Sequence, residues 1–419
     1  MSGYRQRTEG ESPVHSSDQS RRPRPGTSRP GGRGDGPEIA IVGAGIGGLA
    51  LARALRQRGI ASTVYERTAR FDRIGSGINV SPNATAALAG LGVLPAVRRH
   101  ASLPGSWRNY DAGTGELRHE FPLGRSAATA YGQPFIQMHR GDLHAALSAA
   151  VPAGSVRLGK RLVGLDDRGE RIGLRFQDGS TAEADLVVGA DGIRSRVRAE
   201  LFGPDEPTFT GRVAYRDVIP TEGLDIAGLD DFAKWWGEDR HIVLYFINGG
   251  REIYYVTSVP EDEWTDESWS AHGDPAELRA AFADFPEPVR RVLGHGTRTY
   301  KWALCDRPPM DSWGRGRVVL LGDACHPMVP YMAQGAAMAL EDAVLLGRAL
   351  AESPDDPDRA LADYQATRIP RTAWMQTESH KNTFMREAGP VAAVYGYDPW
   401  TAELTRATPV PPMPEESLS

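Results

Sequence analysis

The sequence predicts an α/β protein, a Rossmann-like dinucleotide-binding domain that carries α+β insertions, among them an antiparallel-sheet domain. Three observations lead there. An apolar strand runs into a GxGxxG turn close to residue 40. Two more strand–turn–helix units, each with an aspartate in the turn, recur near residues 190 and 322. Between those two lies a long stretch of alternating strands. The chain has 419 residues, enough for a sizeable core and two domains.

Residues 1–37 are rich in Gly, Pro, Ser and Arg and lack an apolar stretch, so a disordered tail is expected rather than a secretory signal. A net charge of −6 gives no electrostatic case for nucleic acid. No run of about 18 apolar residues exists, so no membrane span is expected. The two cysteines, Cys305 and Cys325, form no CxxC and suggest no disulfide framework, which fits a reducing cytoplasm. Neither an H-x-E nor a CxxC pattern is present, and no metal is expected.

Order begins at Glu38. Ile39 to Val42 is an apolar strand, and Gly43-Ala44-Gly45-Ile46-Gly47-Gly48 fills the glycine pattern. Gly43 makes the turn, Gly45 lets a pyrophosphate approach the backbone, and Gly48 lets helix and strand pack closely. Leu49, Ala52 and Leu55 continue a helix that Gly59 stops. The second strand, Ser62 to Tyr65, ends at Glu66, where a carboxylate suits the hydroxyls of an adenosine ribose. The adjacent Arg67 leaves a 2′-phosphate open.

Next, "RIGSGINVSPNATAALAGLG" reads as a Gly/Asn/Pro-rich loop followed by a helix. "MHRGDLHAALSAAV" reads as a helix with Arg140 at its beginning, and Leu186 to Val188 as a strand ending in the turn that holds Asp191. Arg194, Arg196 and Arg198 read as a solvated helix face. From Phe209 to Pro260, alternation with aromatic and β-branched residues reads as an antiparallel sheet with one face covered. His241 and Tyr245, four apart, point to the same face of their strand. Trp235 and Trp236 read as sheet core or interface.

The third unit, "GRVVLLGDACHPMVPYMAQGAAMALEDA", joins a buried strand (Val318 to Leu321) to a helix beginning at Gly335 through a loop holding Asp323, Pro327 and Gln334. A helix N-terminus offers free N–H groups and a positive dipole end, which together favour an anion. In this loop His326 reads as structural and Cys325 as an inert packed thiol.

The glycine motif, the Asp191-Gly192 segment and the Gly322-Asp323 segment resemble the three signatures of single-component (group A) flavoprotein aromatic hydroxylases. The likeness runs from about Glu38 to Tyr397. It is greatest to the hydroxynicotinate-hydroxylating branch and next to the salicylate branch, through "HRGDLHA", "KWWGEDRH", "YYVTSVP", "GDACHPM", "MAQGAAMALEDA" and "VYGYD". The resemblance implies a para-hydroxybenzoate-hydroxylase-like fold: FAD-binding segments at 38–208 and 305–352, a substrate sheet at 209–304, and a C-terminal helical segment and tail at 353–419. It implies non-covalently bound FAD, NADH or NADPH as a transient reductant, O2 as co-substrate, and a C4a-hydroperoxyflavin as oxygenating species. A homodimer is among the assemblies it allows.

By the same resemblance, Gly43, Gly45, Gly48, Glu66, Arg67, Arg140, Asp191, Asp323, Pro327, Gly335 and Ala336 contact the cofactor. A reduced flavin is itself an anion, which suits the helix start at Gly335. His241 and Tyr245 hold or deprotonate the substrate hydroxyl, because attack on an electrophilic oxygen donor requires an electron-rich ring carbon. Asn79, Phe232 and Tyr331 stand where the hydroxynicotinate branch has histidine, cysteine and histidine, which points to a different aromatic or heteroaromatic acid. The expected activity is hydroxylation of such a (hydroxy)carboxylic acid, with loss of CO2 where the carboxylate sits on the attacked carbon. A non-decarboxylating hydroxylase or an epoxidase of a natural-product intermediate is the alternative. A nicotinamide dehydrogenase using the glycine motif alone and a flavin sensor without turnover are the readings from other classes.

Overall fold

Ile39–Val42 forms the strand that its unbroken apolar run predicts, and it lies inside a six-stranded sheet. The computed structural model describes residues 37–73, 76–169, 171–264, 271–384 and 390–407. The expected N-terminal tail, all but its last residue, lies outside these, as does the end of the chain from residue 408. The sheet runs Gly314–Arg315, Val318–Leu320, Leu186–Gly189, Ile39–Val42, Ser62–Tyr65, Val156–Arg157. The three strand–turn–helix units therefore lie side by side. Ile39 pairs in parallel with Leu186, and Val187 with Val318, so all three turns emerge at the same end of the sheet. That end is where ligands bind in open α/β sheets.

Helix Ile46–Gln57 follows the glycine turn and buries Leu49, Leu51, Ala54 and Leu55 against the sheet and against helix Gly335–Glu352. Each fully buried leucine contributes about 1.5–3 kcal/mol. Gly59, at φ +76°, supplies the left-handed turn that follows the helix.

The second layer is an eight-stranded sheet ordered His272–Gly273, Thr299–Asp306, Thr208–Pro220, Glu252–Pro260, His241–Ile247, Phe232–Trp236, Ser106–Asp111, Leu117–Pro122. It differs from the expected antiparallel sheet in two ways. Its last two strands come from a hairpin at 106–122, and the junction of Phe232–Trp236 with Ser106–Asp111 is parallel. The hairpin's outer strand, LRHEFP, is mostly exposed and polar, so it lacks the alternation that marked the other strands. Gly77–Val80 is also a strand rather than a loop and pairs with Ile136–His139. A Cβ on Gly77 would lie 2.5 Å from the Tyr254 ring, so glycine is required by close packing against the second sheet.

The C-terminal segment folds as helix Pro357–Lys381, capped by Asp356, which accepts the Arg359 N–H at 3.0 Å. It packs along helix Gly335–Glu352. Among the described residues no helix is long and apolar enough to cross a membrane.

Candidate active site

A cavity of about 450 Å³ lies between the ends of the parallel strands and the inner face of the second sheet. Of the residues singled out from sequence, Gly45, Asn79, Arg140, Phe232, His241, Tyr245, Asp323, Pro327, Tyr331, Gly335 and Ala336 all line it. Gly43, Gly48, Glu66, Arg67 and Asp191 stand outside its wall.

The glycines divide by what surrounds them. Gly43 sits at φ +105°, and a Cβ there would lie 2.3 Å from the Ala190 carbonyl oxygen. A Cβ on Gly48 would lie 2.0 Å from the Gly43 oxygen, so both serve the fold itself. At Gly45, by contrast, nothing beyond the neighbouring backbone lies within 4 Å of the missing Cβ. The protein does not require glycine at that point; the bare backbone leaves a groove open to the cavity.

Glu66 closes the turn from the side. Its Oε2 accepts the Ala44 N–H and its Oε1 the Thr68 N–H, each at 2.8 Å, while Arg67 beside it is exposed. His144 Nε2 bonds the Ala44 carbonyl at 2.7 Å, a brace that the motifs did not reveal. Asp191 braces the start of helix Arg196–Phe202, accepting from the N-cap Ser195 Oγ at 2.5 Å and from the N–H groups of Arg196 and Val197. The three neighbouring arginines do not share one solvated face. Arg194 lines the cavity, Arg198 is buried and paired with Asp205, and only Arg196 lies exposed on the helix.

Asp323 and Arg140 bring opposite charges into the cavity wall. Asp323 is open to the cavity, and the protein enclosing it there raises its carboxyl, while His326 and Arg140 pull it back down. Arg140 is likewise open to the cavity; the surrounding protein lowers its guanidinium, and Asp323 supports it. Asp323 Oδ1 lies 3.8 Å from where a Cβ on Gly335 would stand, so the acid and the helix start are neighbours. An open backbone groove, a cation, an acid and a helix N-terminus around one cavity suit a dinucleotide with an anionic ring system.

A buried polar network holds that helix start. Arg368, fully buried, donates to Glu341 Oε2 and Asp342 Oδ1, each at 2.7 Å. Arg371 and Asn83 also donate to Glu341, and Asn83 and Ser81 tie in Gln334. Asp342 Oδ2 takes the Gly322 N–H and bonds His326 Nε2 at 2.6 Å, which gives His326 its structural place. Burial pushes Asp342 up, but His326 and Arg368 outweigh it and hold it below the usual carboxylate range. This network joins residues far apart in the chain and carries no local motif. The signal was the acidic pair between Leu340 and Ala343, on a face where helical spacing demands apolar residues.

The opposite wall is a grid of cross-strand rows. Phe232 pairs with Tyr245 and Tyr245 with Tyr254; Lys234 with Val243 and Val243 with Val256; Trp236 with His241 and His241 with Ser258. His241 is 5 % exposed, its ring 5.4 Å from that of Tyr331. Burial, with Lys234 and Arg212, holds its imidazole well below 6.5. Burial, with Tyr254, lifts the Tyr245 phenol well above 10.0. Phe232 stacks on Trp107 at 4.4 Å and meets Tyr245 edge-on at 5.6 Å. The Tyr331 hydroxyl shares a hydrogen bond with Ser258 Oγ at 3.0 Å, and Asn79 Oδ1 accepts from Gln137. Trp235 faces the other way and stacks on Tyr110 at 4.2 Å. Cys325 is buried, and burial raises its thiol well above 9.0, whereas Cys305 borders the cavity. Lys234 and Arg216, both in the cavity wall, were not anticipated. The alternation that pairs Phe232 with Trp236 had already placed Lys234 on the same face.

The sequence model of the FAD binding domain family matches residues 37–379. The chain is 41% identical over 372 residues to 6-hydroxynicotinate 3-monooxygenase of Pseudomonas fluorescens, covering 88% of this chain and 97% of that protein. Its fold matches Klebsiella pneumoniae HpxO complexed with FAD and uric acid at TM-score 0.75 and 28% identity, over 85% of this chain and 90% of that one. It matches a salicylate hydroxylase substrate complex at TM-score 0.74 and 26% identity, over 87% and 96%. The chain therefore belongs to the FAD-binding domain family, as a flavin-dependent oxidoreductase.

Proposed function

We propose that this flavoprotein is a monooxygenase that uses NADH or NADPH and O2 to hydroxylate an aromatic or heteroaromatic hydroxy acid. The observation that carries the reading is the placement of His241 and Tyr245 on one strand face, lining the same cavity as Asp323, Gly335 and the Gly45 groove from its opposite wall. Bound FAD, once reduced, supplies an electrophilic oxygen donor from O2. The groove at Gly45 and the pair Arg140 and Asp323 would hold its pyrophosphate and ribose region, and the helix N-terminus at Gly335 the anionic end of its ring.

The substrate side follows from charge states. His241, kept neutral by burial, has a free base position for the proton of a ring hydroxyl. Tyr245, kept protonated by burial, donates to the oxyanion left behind. Together they turn a phenol-type ring into an electron-rich one without leaving an unpaired charge. Phe232, stacked on Trp107, and the wall of Val243 and Val256 exclude water from the ring. Asn79, Phe232 and Tyr331 shape the pocket differently from the hydroxynicotinate pattern, which favours another acid of the same class.

The test is a panel of hydroxybenzoates and hydroxypyridine carboxylates, assayed for stimulated NADH and NADPH oxidation with mass analysis of products. A product heavier by one oxygen, or one that exchanges CO2 for a hydroxyl, supports the reading. Flavin-bound protein that oxidises neither nucleotide faster with any member contradicts it.

A further inference from the structure

We infer that Lys234 binds the carboxylate of the substrate and so selects acids over their neutral analogues. The inference rests on the aromatic-acid reading above. Lys234 is 2 % exposed, yet it lines the cavity. It stands opposite Val243, midway between the His241 and Tyr245 rows, so it is a diagonal neighbour of both. Its Nζ lies 3.6 Å from the Trp236 ring and 5.9 Å from the Tyr331 ring, and 3.5 Å from Asn382 Oδ1. These contacts fix where the ammonium stands.

The other described cations that line the cavity stand elsewhere, Arg194 in the segment after the Asp191-Gly192 turn. Arg140 faces Asp323 on the cofactor side. Arg216 occupies the far end of the row Lys234, Val243, Val256, Arg216, and stacks on Trp302 at 4.1 Å. Three strand steps separate the row's ends by about 14 Å. An aromatic ring lying on the two valines therefore has Lys234, among the described cavity-lining residues, as the cation at the Phe232–Trp236 end of this row. In a buried wall, an ammonium–carboxylate contact is stronger than in water. The same charge also helps keep His241 neutral, so one lysine serves both recognition and the proton acceptor.

The experiment titrates oxidised holoenzyme with 6-hydroxynicotinate, 3-hydroxybenzoate and salicylate, and with the carboxamide of each, reading the absorbance of the bound flavin without NADH. The wild type should bind at least one acid about 10–100-fold more tightly than its amide. Lys234→Met should bring that ratio to near one through loss of acid affinity, with the amide little changed, and Lys234→Arg should restore most of it. Should Lys234→Met fail to retain FAD, Lys234→Gln gives the same comparison. A ratio unchanged in a flavin-loaded Met or Gln variant overturns the inference while leaving the aromatic-acid reading in place. If no acid perturbs the wild-type flavin, both fall together.

Discussion

His241 and Tyr245 leave one strand from the same face, two register steps on either side of Val243, and both enter the cavity wall. Burial acts on them in opposite chemical senses. It holds the imidazole neutral and the phenol protonated, so at neutral pH one is an acceptor and the other a donor. A substrate hydroxyl that must lose its proton needs that combination.

The charge state of His241 gives a pH prediction. Its folded pKa lies well below 6.5, so the acid limb of kcat/KM should fall below that value. Stability should also fall on acidification. The unfolded chain takes up protons near pH 6.5 while buried His241 and His139 and half-buried His144 resist them, so stability is full above 6.5 and declines on acidification towards the depressed folded values. Urea midpoints between about pH 8 and pH 5.5 measure this, and His241→Gln should flatten part of the decline. A midpoint that rises on acidification would refute the buried-neutral assignment.

Glu66 and Asp323 give a cofactor prediction. Removing either carboxylate should weaken FAD by about 1–3 kcal/mol, through lost polar contacts and, for Glu66, a loosened glycine turn. Glu66→Ala and Asp323→Ala should purify partly as apoprotein and recover flavin when FAD is added. Full occupancy of both variants after extensive dialysis would show that neither acid matters to binding.

The flavin should be held without a covalent bond. Acid precipitation of the yellow protein should release FAD into the supernatant, and colour retained in the pellet would contradict this.

Arg368 gives a stability prediction. It neutralises Glu341 and Asp342 where neither reaches water. Arg368→Met should cost about 3–5 kcal/mol, the effect of leaving a buried charge uncompensated. Denaturant titration of holoenzyme measures it, and a loss under about 1 kcal/mol would mean that Arg371 and His326 suffice.

The nucleotide half was legible because its motifs are local. Strand, glycines, helix and acid lie within the stretch from Ile39 to Glu66, and their spacing fixes their geometry. The face shared by His241 and Tyr245 was legible for the same reason, since strand alternation is a period-two rule. What escaped depends on distant partners. The hairpin at 106–122 is a strand pair because Phe232–Trp236 offers it an edge, and Gly77–Val80 because Ile136–His139 does. Asp191 carries a motif signature, yet its hydrogen bonds go to its own helix. Lys234 was hidden by the tryptophans beside it. Its importance lies in the cavity it faces, which no local pattern describes.

On the proposed function, His241 and Tyr245 act on the substrate rather than on the flavin. The direct measurement is product formed per NADH or NADPH oxidised, at saturating substrate, in His241→Ala and Tyr245→Phe. Both should retain FAD and still oxidise reduced nucleotide. Loss of the proton acceptor should slow oxygen transfer by about 10²–10⁴-fold. The ratio should then fall far below that of the wild type, with H2O2 making up the difference. A ratio equal to wild type in both variants would show that the pair is sheet packing and that the proton acceptor lies elsewhere.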